Sequence, residues 1–185
     1  MGETETFGFD DLIQVRATIT NFYVLRDGDE LYLIDAGFIR GRTLLRHALK
    51  KHGWDQLPIR GIIVTHGHLD HILHVGRVAE ETGAWIAAPR LDEAHYAGRP
   101  QYSGWAHIVG ALENFGRPAL GFRRFTPNRF LDDGDEIDVW HGLTTVHLPG
   151  HTLGHSGYYC EKLKWLFCAD LFASYASWPH LPPAI

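Results

Sequence analysis

One segment constrains the fold more than any other: residues 65–71 read THGHLDH, and their first residue, Thr65, ends a short apolar run over residues 59–65. A run of that length, rich in β-branched residues, is typical of a strand buried on both faces. Helical spacing of apolar residues then continues over residues 70–82 and ends at Gly83, a residue that favours a helix stop. The sequence therefore predicts a buried strand, a histidine-rich turn and a helix in succession, which is an α/β arrangement.

The residue types of this turn predict a metal site. The imidazoles of His66, His68 and His71 and the carboxylate of Asp70 suit Zn²⁺, Mn²⁺ or Fe²⁺ better than Mg²⁺ or Ca²⁺, which prefer oxygen ligands. His66 and His68 lie two apart at the end of an extended strand and can point to one side across Gly67. Asp70 and His71 at the helix start can turn toward a second position. The spacing thus indicates one metal ion and allows two.

The chain has 13 histidines in 185 residues, and a polar loop gains no folding advantage from such a density of imidazoles. We therefore interpret the clustered histidines as ligands. Six other histidines stand alone, and we interpret them as surface or structural residues. These six are His47, His52, His74, His95, His107 and His141.

Two later segments bring further candidate ligands to strand ends. Residues 148–155 read LPGHTLGH and residues 167–172 read FCADLF, each at the end of a predicted strand. Strand ends on one rim of a sheet are where a scaffold assembles a site. His151 is therefore a candidate third imidazole, and Asp170 is a candidate carboxylate bridge between two cations.

The remaining segments predict a chain that is mostly β in its second half. The first half is predicted to hold a hairpin of residues 19–26 and 30–35, a helix over residues 43–52 and a strand over residues 84–88. The second half is predicted to hold strands over residues 129–131, 136–139 and 143–148 and a hairpin of residues 156–160 and 165–169. That last hairpin places Cys160 opposite Trp165 and away from Cys168, so both cysteines are expected to be reduced core residues.

Residues 89–128 differ from the rest, with aromatic side chains, scattered glycines and prolines, and one predicted helix over residues 105–115. We interpret this stretch as a lid-like insertion in a single domain that spans residues 1–185. Its aromatic residues from Tyr96 to Phe125 are expected to form much of the pocket wall. A basic patch in it fits a solvated loop or a site for one anionic small substrate. The patch consists of Arg117, Arg123, Arg124 and Arg129.

Charge and hydropathy exclude several functions. A formal net charge of -5 argues against an extended nucleic-acid surface. No apolar stretch approaches the roughly 18 residues that cross a bilayer, so no membrane span is expected. The acidic residues 1–11 do not resemble a secretory peptide, and the expected location is cytoplasmic.

The motifs THGHLDH, PGHTLGH and FCADLF resemble those of the metallo-β-lactamase superfamily of binuclear metallohydrolases. The resemblance covers about nine tenths of the chain and implies an α/β fold, a four-layer αββα sandwich with the metals at one edge. It implies that His66, His68 and His151 bind the first metal, that Asp70 and His71 bind the second, and that Asp170 bridges both. Residues 33–37, LIDAG, are similar to a strand-end segment of the family, which places Asp35 behind the ligands as a supporting residue or in a structural turn.

The activity that the resemblance implies is hydrolysis of a small carbonyl substrate by a metal-bound hydroxide, with two divalent ions as cofactors. Zinc is expected first, with manganese or iron as alternatives. Asp70 would be catalytic, because it would orient the hydroxide as well as bind metal. The substrate partner is a small molecule.

One departure from the family pattern affects the second metal. Members usually carry a further histidine ligand beyond the bridging aspartate, whereas here fifteen residues follow Asp170 and His180 lies in a context that does not match. Three explanations stay open: an open position on the second metal, a ligand from a neighbouring chain in a homo-oligomer, or a member that lacks its last helix and strand.

The substrate also stays open among esters, lactones, thioesters and amides. Thioester hydrolysis of the glyoxalase II type needs, by resemblance, a downstream domain and a Gly/Arg-rich segment that residues 171–178 do not match. Lactone, ester or amide hydrolysis is therefore at least equally expected. The alternatives are a phosphodiesterase of the same fold, a mononuclear iron oxygenase and an inactive truncated remnant.

Overall fold

Two β-sheets form the frame of the chain, which the computed structural model describes over residues 7–17, 19–100 and 116–172. The first sheet has seven strands in chain order: β1 (Phe7–Phe9), β2 (Leu12–Ala17), β3 (Thr20–Asp27), β4 (Glu30–Ile34), β5 (Ile59–Ile63), β6 (Trp85–Pro89) and β7 (Arg129–Leu131). The second sheet has the order β11-β10-β9-β8, with β8 (Glu136–Ile137), β9 (Leu143–His147), β10 (Ser156–Cys160) and β11 (Trp165–Phe167).

The first sheet changes from antiparallel to parallel pairing after β4. Parallel neighbours need crossover connections. Helix α1 (Gly41–His52) connects β4 to β5, and helices α2 (Leu69–Ile72) and α3 (Val75–Thr82) connect β5 to β6. A 3₁₀ turn (Arg90–Asp92) and helix α4 (Glu93–Tyr96) follow β6. The loops after β4, β5 and β6 therefore leave the same edge of the sheet.

Neighbouring residues of the central strands face two different cores, because side chains alternate along a strand. Leu33 of β4 and Ile62 of β5 pack toward the helices, whereas Ile34 and Ile63 pack toward the second sheet. The described layers are thus helices, the seven-stranded sheet and the four-stranded sheet. The expected absence of a last helix and strand lies outside the described residues.

The predicted helix over residues 70–82 is two helices in the structure. The carbonyl of His71 accepts a hydrogen bond from the backbone N–H of Ala36 at 3.0 Å. This contact holds His71 against the end of β4, and α2 stops at Ile72 before α3 begins at Val75. The other predicted elements outside residues 89–128 agree with the structure except at their ends, and the helix predicted over residues 105–115 lies outside the described residues.

The expectation of an aromatic pocket wall is wrong for Tyr96. Tyr96 is fully buried in the core between helices and sheet, its hydroxyl donates to the carbonyl of Pro89 at 3.1 Å, and its ring stacks on Phe125. A buried tyrosine needs such an acceptor for its hydroxyl, and the last residue of β6 supplies one.

The basic patch is also divided. Arg117 is buried, donates to the backbone carbonyl of His95 at 3.0 Å and lies over the ring of Phe122, whereas Arg123 and Arg124 are exposed. The interpretation of one solvated loop or anion site is therefore wrong for Arg117, since tertiary packing buries its guanidinium.

The last hairpin agrees with its prediction: Cys160 is buried and pairs with Trp165, and neither Cys160 nor Cys168 forms a disulfide. The expectation of a core position is wrong for Cys168, which is half-buried because it follows β11 at the edge of the sheet. Across the residues that the structure describes, we find no helix with the length and apolar character needed to span a membrane.

Candidate metal centre

The candidate ligands lie on loops that follow strands of both sheets. Asp35 follows β4, and the segment with His66, His68 and His71 follows β5. His151 lies between β9 and β10, and Asp170 follows β11 in a 3₁₀ turn. The two sheets meet near these loops. There the backbone N–H of Ser156, the first residue of β10, donates to the carbonyl of Thr65, which follows β5, at 3.0 Å.

The first group of ligands, which we call the three-imidazole group, consists of His66, His68 and His151. One ring nitrogen of each lies within 4.8 Å of the others. Nδ1 of His68 is 2.8 Å from Nε2 of His151, and the ring centres of His66 and His151 are 4.9 Å apart. His66 is buried, whereas His151 is exposed, so this group opens to solvent on one side.

The second group, which we call the carboxylate group, consists of His66, His71 and Asp170, with ligand atoms again within 4.8 Å. Oδ1 of Asp170 lies 3.1 Å from Nε2 of His71, and Oδ2 lies 3.2 Å from Nε2 of His151. One carboxylate therefore faces both groups.

Asp70 lies at the border of the carboxylate group. Its Oδ2 is 3.8 Å from Nε2 of His71, and it belongs to neither group of three. The helix start thus brings Asp70 to the site but leaves it farther from Nε2 of His71 than Asp170 is.

Asp35 fixes the orientation of His71. Oδ2 of Asp35 accepts a hydrogen bond from Nδ1 of His71 at 2.7 Å and another from the hydroxyl of Thr65 at 2.7 Å, while Oδ1 accepts from the backbone N–H of Thr65 at 2.8 Å. Because Nδ1 is held in this way, Nε2 of His71 points into the site. The hydroxyl of Thr20 also lies 3.1 Å from that nitrogen.

A buried nitrogen without a partner tests whether these residues fit a metal ion. Nε2 of His66 is buried and has no hydrogen-bond partner among the described residues. Such an atom is costly unless a further partner satisfies it. In a tetrahedral zinc site, nitrogens about 2.1 Å from the ion lie about 3.4 Å apart, so ligand atoms within 4.8 Å need only small adjustments. The donor set therefore fits a divalent cation.

The pKa values differ between the two groups. Burial and the neighbouring imidazoles lower the pKa of His66 well below its usual range and lower the pKa of His68 to about 3. Burial alone would lower the pKa of His71, but the carboxylates of Asp35 and Asp170 outweigh it and hold that pKa well above its usual range. Burial would raise the pKa of Asp170, but hydrogen bonds with His151 and His71 outweigh it and hold that pKa well below its usual range.

Sequence reasoning missed the role of His155, the second histidine of the PGHTLGH motif. Its Nδ1 donates to the carbonyl of Leu148 at 2.8 Å, and its Nε2 accepts from the backbone N–H of Asp170 at 3.2 Å. The signal was its place four residues after His151 at a strand start.

Asp92 and Thr20 were missed as well, because both reach the site through contacts with residues that are distant in the sequence.

His95 is buried, and its Nδ1 donates to the carbonyl of Gly67 at 3.0 Å. It is a structural histidine, as its isolation in the sequence predicted.

Helices and two packed sheets, with histidine and aspartate side chains gathered on loops at the junction, define an α/β sandwich whose residues could hold a metal ion. The family model of the metallo-beta-lactamase superfamily matches residues 15–183. The chain therefore belongs to the metallo-beta-lactamase superfamily.

Among curated proteins, the chain is similar to the hydroxyacylglutathione hydrolase of Aeromonas salmonicida, with 48% identity over 121 residues, 64% of this chain and 35% of that protein. It is also similar to a probable metallo-hydrolase of Mycobacterium bovis, with 31% identity over 191 residues, 84% of this chain and 57% of that protein. The chain thus spans about a third to just over half of the length of these relatives.

Among solved structures, the metallo-beta-lactamase GOB-18 from Elizabethkingia meningoseptica has a TM-score of 0.69 at 22% identity, over 85% of this chain and 58% of that chain. The subclass B3 metallo-beta-lactamase BJP-1 of Bradyrhizobium japonicum has a TM-score of 0.65 at 24% identity, over 83% of this chain and 55% of that chain. These likenesses confirm the predicted fold class.

Proposed function

We propose that the chain is a metal-dependent hydrolase that acts on a small carbonyl substrate and uses two divalent ions. Zinc is the metal that we expect at both positions. The observation that carries this proposal is the position of Asp170. Its two carboxylate oxygens face different groups of imidazoles, at 3.1 Å from His71 and 3.2 Å from His151. That arrangement suits a carboxylate shared between two cations.

Each residue has a proposed role in binding. His66, His68 and His151 would hold one ion, His71 and Asp70 the other, and Asp170 would lie between them. Divalent ions held by these residues would polarise the substrate carbonyl and would lower the pKa of a bound water toward 7.

The chain itself would orient the reactants. Asp35 holds Nδ1 of His71, so that Nε2 stays directed at the site. Nε2 of His155 holds the backbone of Asp170. The carboxylate of Asp70, at the border of the site, would accept a hydrogen bond from the attacking water and hold its lone pair toward the carbonyl carbon. The exposed side, at His151, would admit the substrate.

Thioesters are the substrate class that we place first. The support is the similarity to hydroxyacylglutathione hydrolases, since a hydroxyacylglutathione is a thioester. This reverses the weighting from residues 171–178, which favoured esters, lactones or amides at least equally. The phosphodiesterase alternative loses support because Arg117, one member of the basic patch, is buried.

A substrate panel with metal control tests the proposal. Protein loaded with Zn²⁺ or Mn²⁺ would be assayed with a hydroxyacylglutathione, p-nitrophenyl acetate, a lactone, a β-lactam and bis-p-nitrophenyl phosphate. We expect carbonyl hydrolysis that stops on chelation and returns on metal addition, with the thioester fastest. Hydrolysis that persists after complete metal removal, or in a His66→Ala, His68→Ala double variant, would refute the proposal.

Metal analysis of the purified protein separates the remaining alternatives. Two equivalents of zinc or manganese per chain support the hydrolase. One coloured iron would favour the oxygenase, and a chain that binds no metal would favour the remnant.

A further inference from the structure

Asp92 is a buried carboxylate behind the metal centre, at the end of the 3₁₀ turn that follows β6. Its side chain is 1% exposed. A carboxylate in such a position is costly unless donors satisfy it. Its donors come from two loops that are distant in sequence, and each loop carries ligands of the three-imidazole group.

The first contact is with the loop after β5. The backbone N–H of Gly67, which lies between His66 and His68, donates to Oδ2 of Asp92 at 2.8 Å. The carbonyl of the same glycine accepts from Nδ1 of His95, three residues beyond Asp92. The N–H and the carbonyl of Gly67 are thus both hydrogen-bonded to side chains of residues 92–95.

The second contact is with the loop between β9 and β10. The hydroxyl of Thr152 donates to Oδ2 of Asp92 at 2.6 Å, and the backbone N–H of Gly154 donates to Oδ1 at 2.8 Å. Thr152 directly follows His151, and Gly154 directly precedes His155. Asp92 therefore holds the segment that contains His151 through two hydrogen bonds.

The two glycines allow both loops to approach this segment closely. A Cβ atom at Gly67 would lie 2.4 Å from Cβ of His95, and a Cβ atom at Gly154 would lie 2.9 Å from the side chain and backbone of Asp92. Real Cβ atoms essentially never approach another heavy atom this closely, so a side chain at either position would push the two segments apart. The glycines at positions 67 and 154 therefore allow both loops to pack directly against residues 92–95.

We propose that Asp92 is a positioning residue that sets the distance between His151 and the pair His66 and His68, and thereby the affinity of the three-imidazole group for a divalent cation. The proposal rests on the proposed metal function of that group. Asp92 does not touch the cation in this account, and it acts through the backbone of Gly67 and the two donors beside His151.

The first experiment measures zinc affinity in competition with a chromophoric chelator. Replacement of a residue that orients metal ligands typically weakens metal binding by about 10–100-fold, and we expect this range for Asp92→Asn. The matched control is Asp132→Asn, because Asp132 is an exposed aspartate that pairs with Arg90, the residue that directly follows β6. Its zinc affinity should stay within about twofold of the wild type, and an equally small effect of Asp92→Asn overturns the proposal.

Thr152 provides a milder variant that decides the matter if Asp92→Asn does not fold. Thr152→Val removes one of the three hydrogen bonds, and we expect a loss of about fivefold, the equivalent of one hydrogen bond of about 1 kcal/mol. Thr152→Ser keeps the hydroxyl and should restore wild-type affinity. Equal affinities for the valine and serine variants contradict the proposal.

A double-mutant cycle separates positioning from general stabilisation. If Asp92 acts by placing His151 against the other two imidazoles, then Asp92→Asn should leave the zinc affinity of the carboxylate group, which a His151→Ala background keeps, within about twofold. A purely structural carboxylate would lower that zinc affinity in both backgrounds, and that result overturns the proposal.

These readouts are independent of catalysis. Wild-type zinc binding without hydrolysis of any substrate would refute the proposed function and leave the Asp92 test intact. Hydrolysis together with unchanged zinc affinity of Asp92→Asn would refute only the positioning role. A wild-type chain that binds no zinc refutes both.

Discussion

The three-imidazole group and the carboxylate group share His66 but differ in charge and in exposure. In the first group the lowered pKa values keep His66 and His68 neutral near pH 7, and the third member, His151, is exposed. In the second group His71 lies between the carboxylates of Asp35 and Asp170 and has a raised pKa.

This difference means that the two groups would accept a cation in different ways. Neutral imidazoles bind a cation without releasing a proton. The carboxylate group already balances its negative charge with the proton of His71, so a cation there must displace that proton. One short stretch of sequence would thus contribute to two groups, of which only the carboxylate group must release the proton of His71 to bind a cation.

The largest expected effect comes from the residue that both groups share. His66→Ala should abolish binding of both cations and reduce hydrolysis by more than about 100-fold, which exceeds the usual effect of a residue that only supports a ligand. Metal content and kcat/KM are the measurements. His47→Ala is the matched control, because His47 is an isolated, exposed histidine, and it should leave both values unchanged. Two retained cations in His66→Ala would remove the basis for a shared ligand.

Single substitutions outside the shared residue test whether the groups are separable. His71→Ala should keep the cation of the three-imidazole group, and His151→Ala should keep the cation of the carboxylate group. Each variant is therefore expected to hold one equivalent of zinc where the wild type holds two. If both variants lose all metal, the two groups are a single cooperative site.

The pH dependence of zinc affinity sharpens the comparison. Because the proton on His71 competes with the cation, affinity of the carboxylate group should rise by up to about tenfold per pH unit until pH reaches the raised pKa of His71. His66 and His68 have lowered pKa values and contribute no such dependence between pH 7 and 8. Calorimetry in buffers of different ionisation enthalpy counts the released protons. We expect about one proton from the carboxylate group of the wild type, and its absence in His71→Ala is the control.

An effect smaller than that of His66→Ala is expected from the residue that orients His71. Asp35→Asn should lower zinc affinity of the carboxylate group by about 10–100-fold and leave the three-imidazole group unchanged. Asparagine also tolerates the positive φ of 62° at this position, so the backbone can be kept. Asp29→Asn on the exposed β3–β4 turn is the control. An equal loss at both groups would show a general structural role for Asp35 instead.

The sequence predicted the parts of the site that are local. His66, His68, Asp70 and His71 lie in one strand–turn–helix segment, and a cluster of this kind is visible without a structure. His151 and Asp170 were accessible because each follows a predicted strand, and strands of packed sheets end at shared edges.

The remaining parts depend on contacts between distant segments. Asp92 reaches the site through Gly67 and Gly154, 25 and 62 positions away in the chain. The break of the predicted helix after α2 depends on the bond between Ala36 and His71. The burial of Arg117 depends on the carbonyl of His95. In each case a tertiary hydrogen bond overrides what the local pattern indicates.

An anomalous difference map from a crystal of the zinc-loaded protein tests the central claim most directly. The account predicts two zinc peaks on either side of the Asp170 carboxylate. One should lie about 2.1 Å from ring nitrogens of His66, His68 and His151, and the other at the same distance from Nε2 of His71. A zinc peak that lacks His151, or zinc bound only at other residues, would contradict the account.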